Sequence, residues 1–483
     1  MRALDQLASW KGRFGVHAAR EVAKLLDQLR RARIRAPQDL IRFHEIVLYL
    51  RAYPASPRVA DLADEILFHF ADRVSQVDRD PFEDPEISGI AGSGLSTNFS
   101  YEVALSLATR HADSIRIDWD RYEHADRLGP QLARFLPLAG EDATVEPHVD
   151  WRRWFESSDC DLGWLLHRIE PPIYDLLEIP LRWELGNSSA ARSFTRIPRD
   201  IFYHDGPFLT RRDVSLEAEF AAPRIPVERV SPAHEIVGLI IDTSAVRYRE
   251  LWGFTHPDVV HVYYADLGRG VDIFFFGVPP ESRLPLRAYH CGMYFKNGVP
   301  MGYVEGLSLF ERMEVGFNLY YTFREGETAW LYARLLKLFR EQLGVTCYSV
   351  DPYQLGHEND EAIDSGAFWF YRKQGFRTTS AEIEPLLARE ERRIASNPGY
   401  RTSKAALRKL ARAALIYGGG PEWDHFELRK LGTMPPLSPA LIRAKRAPEE
   451  AVYLRAMQRD RKLRARILSP DPVEPVSSDG IRN

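Results

Sequence analysis

The sequence has few cysteines and no long hydrophobic run. Its three cysteines, Cys160, Cys291 and Cys347, are too few and too far apart for a disulfide framework or a four-cysteine zinc site. No segment approaches the about 18 uncharged apolar residues of a membrane helix, and the N-terminus lacks the apolar core of a signal peptide. Neither sign of charge dominates, because the formal net charge is −4. These absences predict a cytoplasmic protein that does not associate with membranes.

Several familiar catalytic motifs are also missing. The sequence contains no Gly-x-Ser-x-Gly nucleophile elbow, and each of its His-Glu pairs lacks the second histidine of a zinc-protease motif. The glycine-rich segment 89–97 has neither the lysine of a phosphate-binding P-loop nor a full dinucleotide fingerprint. The sequence therefore implies no metal and no nucleotide of these classes.

The first half of the 483-residue chain is predicted to contain a helical region followed by a mixed one. Leu, Val and Ile recur at three- and four-residue spacing from Val16 to Ile34 and again from Asp39 to Tyr53. Ser56-Pro57 is a typical N-cap and first residue of a further helix. We therefore predict a mainly helical region over 1–140, and the recurring prolines after it indicate an irregular linking region over 141–234.

The pattern changes to strands beyond residue 235. Val260–Tyr264 and Val271–Val278 are predicted to form one hairpin, and the turn Asn297-Gly298 predicts a second. A further strand is followed by a helix over Thr328–Leu343, which Gly344 terminates. The fold class predicted is α/β of the α+β type, a mixed sheet with flanking helices.

The C-terminal part is predicted to be a basic helical extension over 386–468, followed by a disordered tail over 469–483. Two segments, Ser403–Tyr417 and Ala447–Leu468, are rich in Arg and Lys. Such helices are solvated surfaces packed on the main body, or they contact tRNA or another RNA. The sequence leaves both interpretations open.

The order of elements around residue 320 predicts a binding cleft. A strand that diverges from its neighbour opens a cleft, and the next helix directs its N-terminal N–H groups into it. In this sequence that helix begins just after the segment from Arg324 to Thr328. Free N–H groups and the helix dipole at such a position favour a pyrophosphate.

The spacing Ala367-x-x-x-Tyr371-x-x-x-Gly375-Phe376 resembles the helix that ends the core of GNAT-type N-acyltransferases. The resemblance covers roughly residues 235–385 and is strongest between Leu286 and Thr379. It implies a GNAT-like domain that moves an acyl group, by default acetyl, from acyl-CoA to an amine that the sequence does not identify. It also implies that the Tyr371 hydroxyl protonates the leaving thiolate and that Asn359 contacts the pantetheine arm.

The same resemblance places the pyrophosphate loop at Phe323, Arg324, Gly326 and Thr328, which become the predicted cofactor-binding residues. The loop departs from the family because Glu325 and Glu327 add two carboxylates. At an effective dielectric of about 20, one pair of like charges at about 4 Å costs on the order of 4 kcal/mol. Acyl-CoA therefore binds well only if these carboxylates point away from it.

The acceptor amine needs a base to remove its proton. Carboxylates on the central strands are the natural source, and Glu305 and Glu314 are the candidates. His290, on a neighbouring strand, is a third.

Two alternative functions stay open. One is a Fem-like transferase that uses aminoacyl-tRNA, which the degenerate loop and the Arg-rich C-terminus favour. The other is a non-catalytic binding protein on a GNAT-like fold, which Glu325 and Glu327 favour.

Overall fold

The computed structural model of the chain describes residues 2–145, 149–424, 426 and 437–468. Residues 469–483, predicted as a disordered tail, lie outside the described residues. The described chain is a mixed α/β protein with one three-stranded and one nine-stranded sheet. No helix in these ranges is both long enough and apolar enough to cross a membrane.

The N-terminal part is a group of helices, as predicted. They are α1 Arg2–Trp10, α2 Val16–Arg31, α3 Pro37–Ala52, α4 Pro57–Phe68 and α5 Phe70–Val74. Ser56 caps α4 as expected, because its side chain accepts a hydrogen bond from the Val59 N–H. Helix α3 is buried on almost all sides, including the charged residues Glu45 and Arg51. A helix buried all round lies inside the structure, so α3 is a central element that packs against the rest of the protein.

A second unit follows, built around an antiparallel three-stranded sheet. Its strands are β1 Gly94–Asn98, β2 Ile115–Ile117 and β3 Pro180–Glu184, with β3 in the centre. Its helices are α6 Tyr101–Arg110, α7 Leu128–Leu132, α8 Pro137–Thr144, α9 Trp151–Ser157, α10 Leu162–Leu166 and α11 Pro171–Leu177. The boundary predicted at residue 140 falls inside this unit, because β3 pairs with two strands that precede that boundary.

The described residues that follow contain the nine-stranded sheet. Its strands are β4 Glu228–Val230, β5 Val262–Gly268, β6 Val271–Phe276, β7 Ala288–Lys296, β8 Val299–Leu309, β9 Arg312–Leu319, β10 Cys347–Val350, β11 Arg377–Thr378 and β12 Leu415–Gly418. They lie in the order β11-β12-β10-β9-β8-β7-β6-β5-β4. Every pair is antiparallel except β9 with β10, which is parallel, so the sheet is mixed.

Twelve further α-helices accompany this sheet in the described part of the chain. They are α12 Leu216–Ala221, α13 His234–Ala245, α14 Trp252–Thr255, α15 Thr328–Leu343, α16 Pro352–Leu355, α17 Asp360–Ser365, α18 Ala367–Arg372, α19 Glu384–Ser396, α20 Lys404–Leu410, α21 Pro439–Lys445, α22 Glu450–Gln458 and α23 Arg461–Ile467. Helix α15 has the predicted bounds and ends at Gly344, whose φ is 70°. The Asn297-Gly298 turn is also confirmed, since both residues have positive φ.

The segment Ser403–Tyr417, predicted to be helical throughout, is helical only in its first half. Strand β12 follows and pairs with both β10 and β11. Its residues Leu415 and Ile416 are buried, because they fill the position between two strands of the sheet. The predicted C-terminal extension therefore contributes a strand to the large sheet, and helix α22 packs against β7 and β8.

One buried cluster of polar groups joins all three parts. Arg192, which follows β3, donates one hydrogen bond to Glu45 Oε2 on α3 (2.8 Å) and another to Thr322 Oγ1 beside the large sheet (3.3 Å). It also donates to the carbonyls of Ile87 and Ser88. Burial opposes ionisation of Glu45, but the charge of Arg192 and hydrogen bonds from neighbouring groups outweigh it and hold the Glu45 pKa well below its usual range.

We expect Glu45→Gln to lower the free energy of unfolding by about 3–5 kcal/mol, because it leaves the buried Arg192 charge without a counter-charge. The depressed pKa of Glu45 makes its contribution complete above the ordinary glutamate pKa of about 4.3 and decreasing as the pH falls below it. Urea unfolding at neutral and at acidic pH measures both effects. Glu65→Gln, which removes the exposed partner of Arg30, is the control and should cost less than about 1 kcal/mol. Equal losses in the two variants would contradict the expectation.

Candidate active site

A cleft opens where strand β9 separates from strand β10. The two strands pair only through Arg312, Met313 and Glu314 of β9, whereas β9 stays paired with β8 as far as Leu319. Helix α15 begins beyond the end of β9, and no side chain caps its N-terminus among the described residues. A cavity of about 610 Å³ occupies this cleft. Five predicted site residues line it, namely Glu305, Arg324, Thr328, Asn359 and Tyr371.

Tyr371 lies on the short helix α18 and is only 5% exposed. Its ring packs edge-on against Tyr332 and Phe376, with ring centres 5.4 and 5.9 Å away. Burial raises its pKa, so the hydroxyl keeps its proton at neutral pH. The ring is thus part of the core while the residue lines the cavity. A protonated phenol held in this way can act as a general acid.

Glu305 lies on β8, opposite Gly316 of β9, and lines the same cavity. Its Oε1 accepts a hydrogen bond from the Tyr289 hydroxyl. Burial raises its pKa, and the hydrogen bond from Tyr289 opposes that shift only in part. A carboxylate with a raised pKa is a better base for an ammonium group than an exposed one.

Glu314, the second predicted base, does not line the cavity. It lies on the same face of the sheet as Glu305, because Leu307 and Glu305 pair with Glu314 and Gly316 respectively. However, Glu314 is in the part of β9 that is still paired with β10, and its nearest cation is Arg287 at 3.7 Å. The structure therefore brings one of the two predicted carboxylates to the cleft.

His290, the third candidate base, does not line this cavity. It lines a separate cavity of about 140 Å³ together with Glu450 and Arg455. Burial and two nearby arginines lower its pKa to about 3, so it is neutral, and it does not line the cleft.

Two of the predicted loop residues, Phe323 and Gly326, do not line the cleft. Phe323 is completely buried. A side chain at Gly326 would place its Cβ 2.3 Å from the Tyr53 hydroxyl, so the end of helix α3 packs directly on this loop. Arg324 lines the cavity but pairs with Glu361, a half-exposed carboxylate at the cavity wall. The loop is thus fixed partly by the N-terminal helices.

Both acidic residues of the loop point away from the cleft. Glu325 is exposed and forms an ion pair with Lys11 at 2.9 Å. Glu327 is buried and receives two hydrogen bonds from Arg269, of 2.6 and 2.8 Å, and a third from the Leu209 N–H. Neither residue lines the cavity. The repulsion that these carboxylates would exert on a phosphate is therefore reduced by both distance and pairing.

Asn359 is the N-cap of helix α17, since its Oδ1 accepts a hydrogen bond of 3.1 Å from the Ala362 N–H. Its side-chain amide group remains available at the cavity wall. Thr328 opens helix α15, and its hydroxyl donates to the Arg324 carbonyl.

Sequence reasoning missed a second wall of the cleft. Three arginines line it, Arg192, Arg247 and Arg249, together with Tyr303 and Tyr320. No motif surrounds these arginines, and Arg192 comes from the unit before the large sheet. Their convergence is a property of the tertiary structure, and the one local signal is the pair of arginines in Arg247-Tyr-Arg249 after helix α13.

No metal centre is found in the part of the chain that the structure describes, where no three His, Cys, Asp or Glu side chains are grouped to hold an ion. Comparisons with protein-family models, with curated proteins and with solved structures found no match to this chain. The chemistry of the cleft therefore has to be inferred from its own residues.

The inward position of Glu327 can be tested by removing its partner. We expect Arg269→Met to destabilise the protein by about 3 kcal/mol, because a buried carboxylate loses its bidentate partner. Lys11→Met removes the partner of the exposed Glu325 and should change stability by no more than about 1 kcal/mol. Urea unfolding of both variants makes the comparison. A loss for Arg269→Met as small as that for Lys11→Met would show that Glu327 is not held in this way.

Proposed function

We propose that this protein is a GNAT-like N-acyltransferase that moves an acyl group, by default acetyl, from acyl-CoA to an amine. The observation that carries the proposal is the composition of the single cleft beside β9. Glu305 from β8, Thr328 from α15 and Tyr371 from α18 line one cavity, although they are distant in sequence.

The arrangement of the sheet supports the proposal. Strands β9 and β10 are parallel, pair over three residues and then separate, and α15 connects them with its N-terminus beside the opening. This is the arrangement that the resemblance at Ala367–Phe376 predicts for residues 235–385.

The residues of the cleft fit an acyl-CoA. The first turn of α15 offers N–H groups that no side chain caps among the described residues, and such groups favour a pyrophosphate. Arg324 adds a positive charge beside them, and the two loop carboxylates are paired elsewhere. Bound acyl-CoA would supply the activated acyl group.

The protein would supply the proton transfers. Glu305, with its raised pKa, accepts a proton from the ammonium form of the acceptor, directly or through water, and so frees the amine for attack. Tyr371 is protonated at neutral pH, as tyrosine ordinarily is, and burial raises its pKa further; its hydroxyl donates a proton to the leaving sulfur. Glu305 accepts a proton and Tyr371 donates one, so the reaction needs both a base and an acid in the same cleft.

The Fem-like, aminoacyl-tRNA-dependent function is the second candidate. It is supported by exposed cationic side chains on helices α22 and α23, among them Arg455, Arg459, Arg461 and Arg466. No carboxylate forms an ion pair with these four in the described ranges. The non-catalytic alternative loses its main support, because Glu325 and Glu327 do not face the cleft.

The binding of CoA is the first test. Acetyl-CoA or CoA at about 100 times its Kd should stabilise the protein by roughly 2.7 kcal/mol, seen as a raised Tm. Thr328→Glu should abolish the shift without harming the fold, since a carboxylate is favourable in the first turn of a helix but repels phosphate. Thr328→Val is the control and should keep most of the shift. Gly326 is unsuitable for this purpose because any side chain there meets Tyr53. A shift with neither ligand would reject acyl-CoA, and binding of tRNA instead would favour the Fem-like function.

The role of Tyr371 is tested by removing its hydroxyl. Tyr371→Phe should lower kcat by about 10²–10⁴-fold if the phenol is the general acid, with CoA binding and Tm nearly unchanged because the ring stays in place. Tyr417→Phe is the matched control, since Tyr417 also packs on Phe376, at 5.6 Å, but does not line the cavity. Thiol release from acetyl-CoA in the presence of amines reports turnover. Full activity in Tyr371→Phe would remove Tyr371 from the mechanism.

A further inference from the structure

Arg247 is a buried cation that has no ionic partner among the described residues. It follows helix α13 and is 8% exposed. Its Nη1 donates to the Thr243 carbonyl at 2.8 Å, and its Nε has no hydrogen-bond partner in the part of the chain that the structure describes. No carboxylate of the described chain lies within ion-pair distance of it. A buried charge is normally paired, so this one needs an explanation.

The neighbours of Arg247 do not neutralise it. Its guanidinium lies 4.1 Å above the centre of the Tyr320 ring, which stabilises a cation but carries no counter-charge. The nearby carboxylate Glu45 is already paired with Arg192, and burial keeps His44 neutral by lowering its pKa. Two arginines and one carboxylate leave an excess of one positive charge. Burial lowers the pKa of Arg247 only to about 10, so the guanidinium remains charged at neutral pH.

A second unpaired donor lies beside it. The Tyr320 hydroxyl is buried and has no hydrogen-bond partner in the described chain, and Tyr320 and Arg247 both line the cleft. Arg249 lines the cleft as well and pairs with the exposed Glu86 at 3.4 Å. Arg192 is paired with Glu45 and Arg249 with Glu86, so the groups that lack a partner at this wall are Arg247 and the Tyr320 hydroxyl, and the complement that satisfies both is an oxyanion.

The wall lies on the Glu305 side of the cleft. The Tyr320 ring is 6.2 Å from the ring of Tyr303, and Tyr303 and Glu305 share one face of β8. Arg247 and the proposed base Glu305 therefore line the same cavity, with Tyr320 and Tyr303 between them. The first turn of α15, where a pyrophosphate is expected, belongs to a different element.

We propose that Arg247 and Tyr320 form an oxyanion site that holds a negatively charged group, a carboxylate or a phosphate, of the acceptor amine. The assignment to the acceptor rests on the proposed acyl transfer, whereas the oxyanion site itself does not. The acceptor class is then an amine that also carries an anionic group, and neutral or purely cationic amines are poor substrates.

The test compares Arg247→Met with Arg51→Met. Arg51 has the same exposure of 8% but is paired with Asp64 at 2.8 Å. Arg51→Met should lower Tm, because it removes one of the two cationic partners of Asp64, the other being Arg196, and the hydrogen bond that Arg51 donates to the Ser193 carbonyl. Arg247→Met should leave Tm unchanged or raise it, since it removes a buried charge that no carboxylate of the described chain neutralises. A fall in Tm as large as that of Arg51→Met would make Arg247 a structural group and overturn the proposal.

Binding is measured with glutarate and with inorganic phosphate as separate probes, at equal ionic strength and with chloride as reference. We expect at least one of them to raise the Tm of the wild-type protein, and to bind at least about tenfold more weakly to Arg247→Met. Tyr320→Phe should weaken the same probe by a smaller factor. No shift with either probe in the wild-type protein would overturn the oxyanion site.

Saturation with CoA shows whether the anionic group held at this site belongs to the acceptor or to the CoA donor. If the probe still binds when CoA is saturating, the oxyanion site is on the acceptor side, as proposed. If CoA displaces the probe and CoA binding is itself weakened in Arg247→Met, the site takes a phosphate of the donor and the acceptor assignment is wrong. Probe binding without any CoA binding would keep the oxyanion site and reject acyl transfer.

Discussion

The ion pair between Arg192 and Glu45 is the contact on which the arrangement of the three parts depends. Glu45 belongs to the N-terminal helices, Arg192 follows the small sheet, and their shared neighbour Thr322 belongs to the turn after β9. A buried ion pair is costly to form and more costly to break, because removing one partner leaves an uncompensated buried charge, so the elements that carry the two residues keep this mutual position. Here that position determines the geometry of a cleft at the other end of the same turn.

The N-terminal helices are therefore part of the cleft's construction. Tyr53 at the end of α3 packs on Gly326, and Lys11 holds Glu325 on the outside of the loop. Arg192 reaches the cleft wall directly. A GNAT-like domain bounded at residues 235–385 would lack these contacts, and its loop would carry Glu325 without Lys11, although Glu327 would keep Arg269. The N-terminal part thus neutralises Glu325, one of the two carboxylates by which the loop departs from the family pattern.

Local features were predictable because neighbouring residues encode them. The Asn297-Gly298 turn and helix α15 with its terminal Gly344 follow from backbone preferences of a few residues. Strand β12 was not predictable, since Leu415–Gly418 is a short apolar segment whose state depends on the vacancy between β10 and β11. Five of the predicted site residues meet at the cleft because they border one strand–helix–strand unit. Arg247 was missed because its role depends on residues from other units.

Placement decides what a charge does in this cleft. The negative charge of Glu327 would repel a phosphate, but its carboxylate forms an ion pair with Arg269. The buried positive charge of Arg247 would normally be neutralised by a carboxylate, but none of the described residues supplies one. Stability alone favours pairing or removing a buried charge. The protein pairs Glu327 but leaves Arg247 unpaired, and so keeps Arg247 at a cost in stability. An anion that enters the cleft would recover that cost.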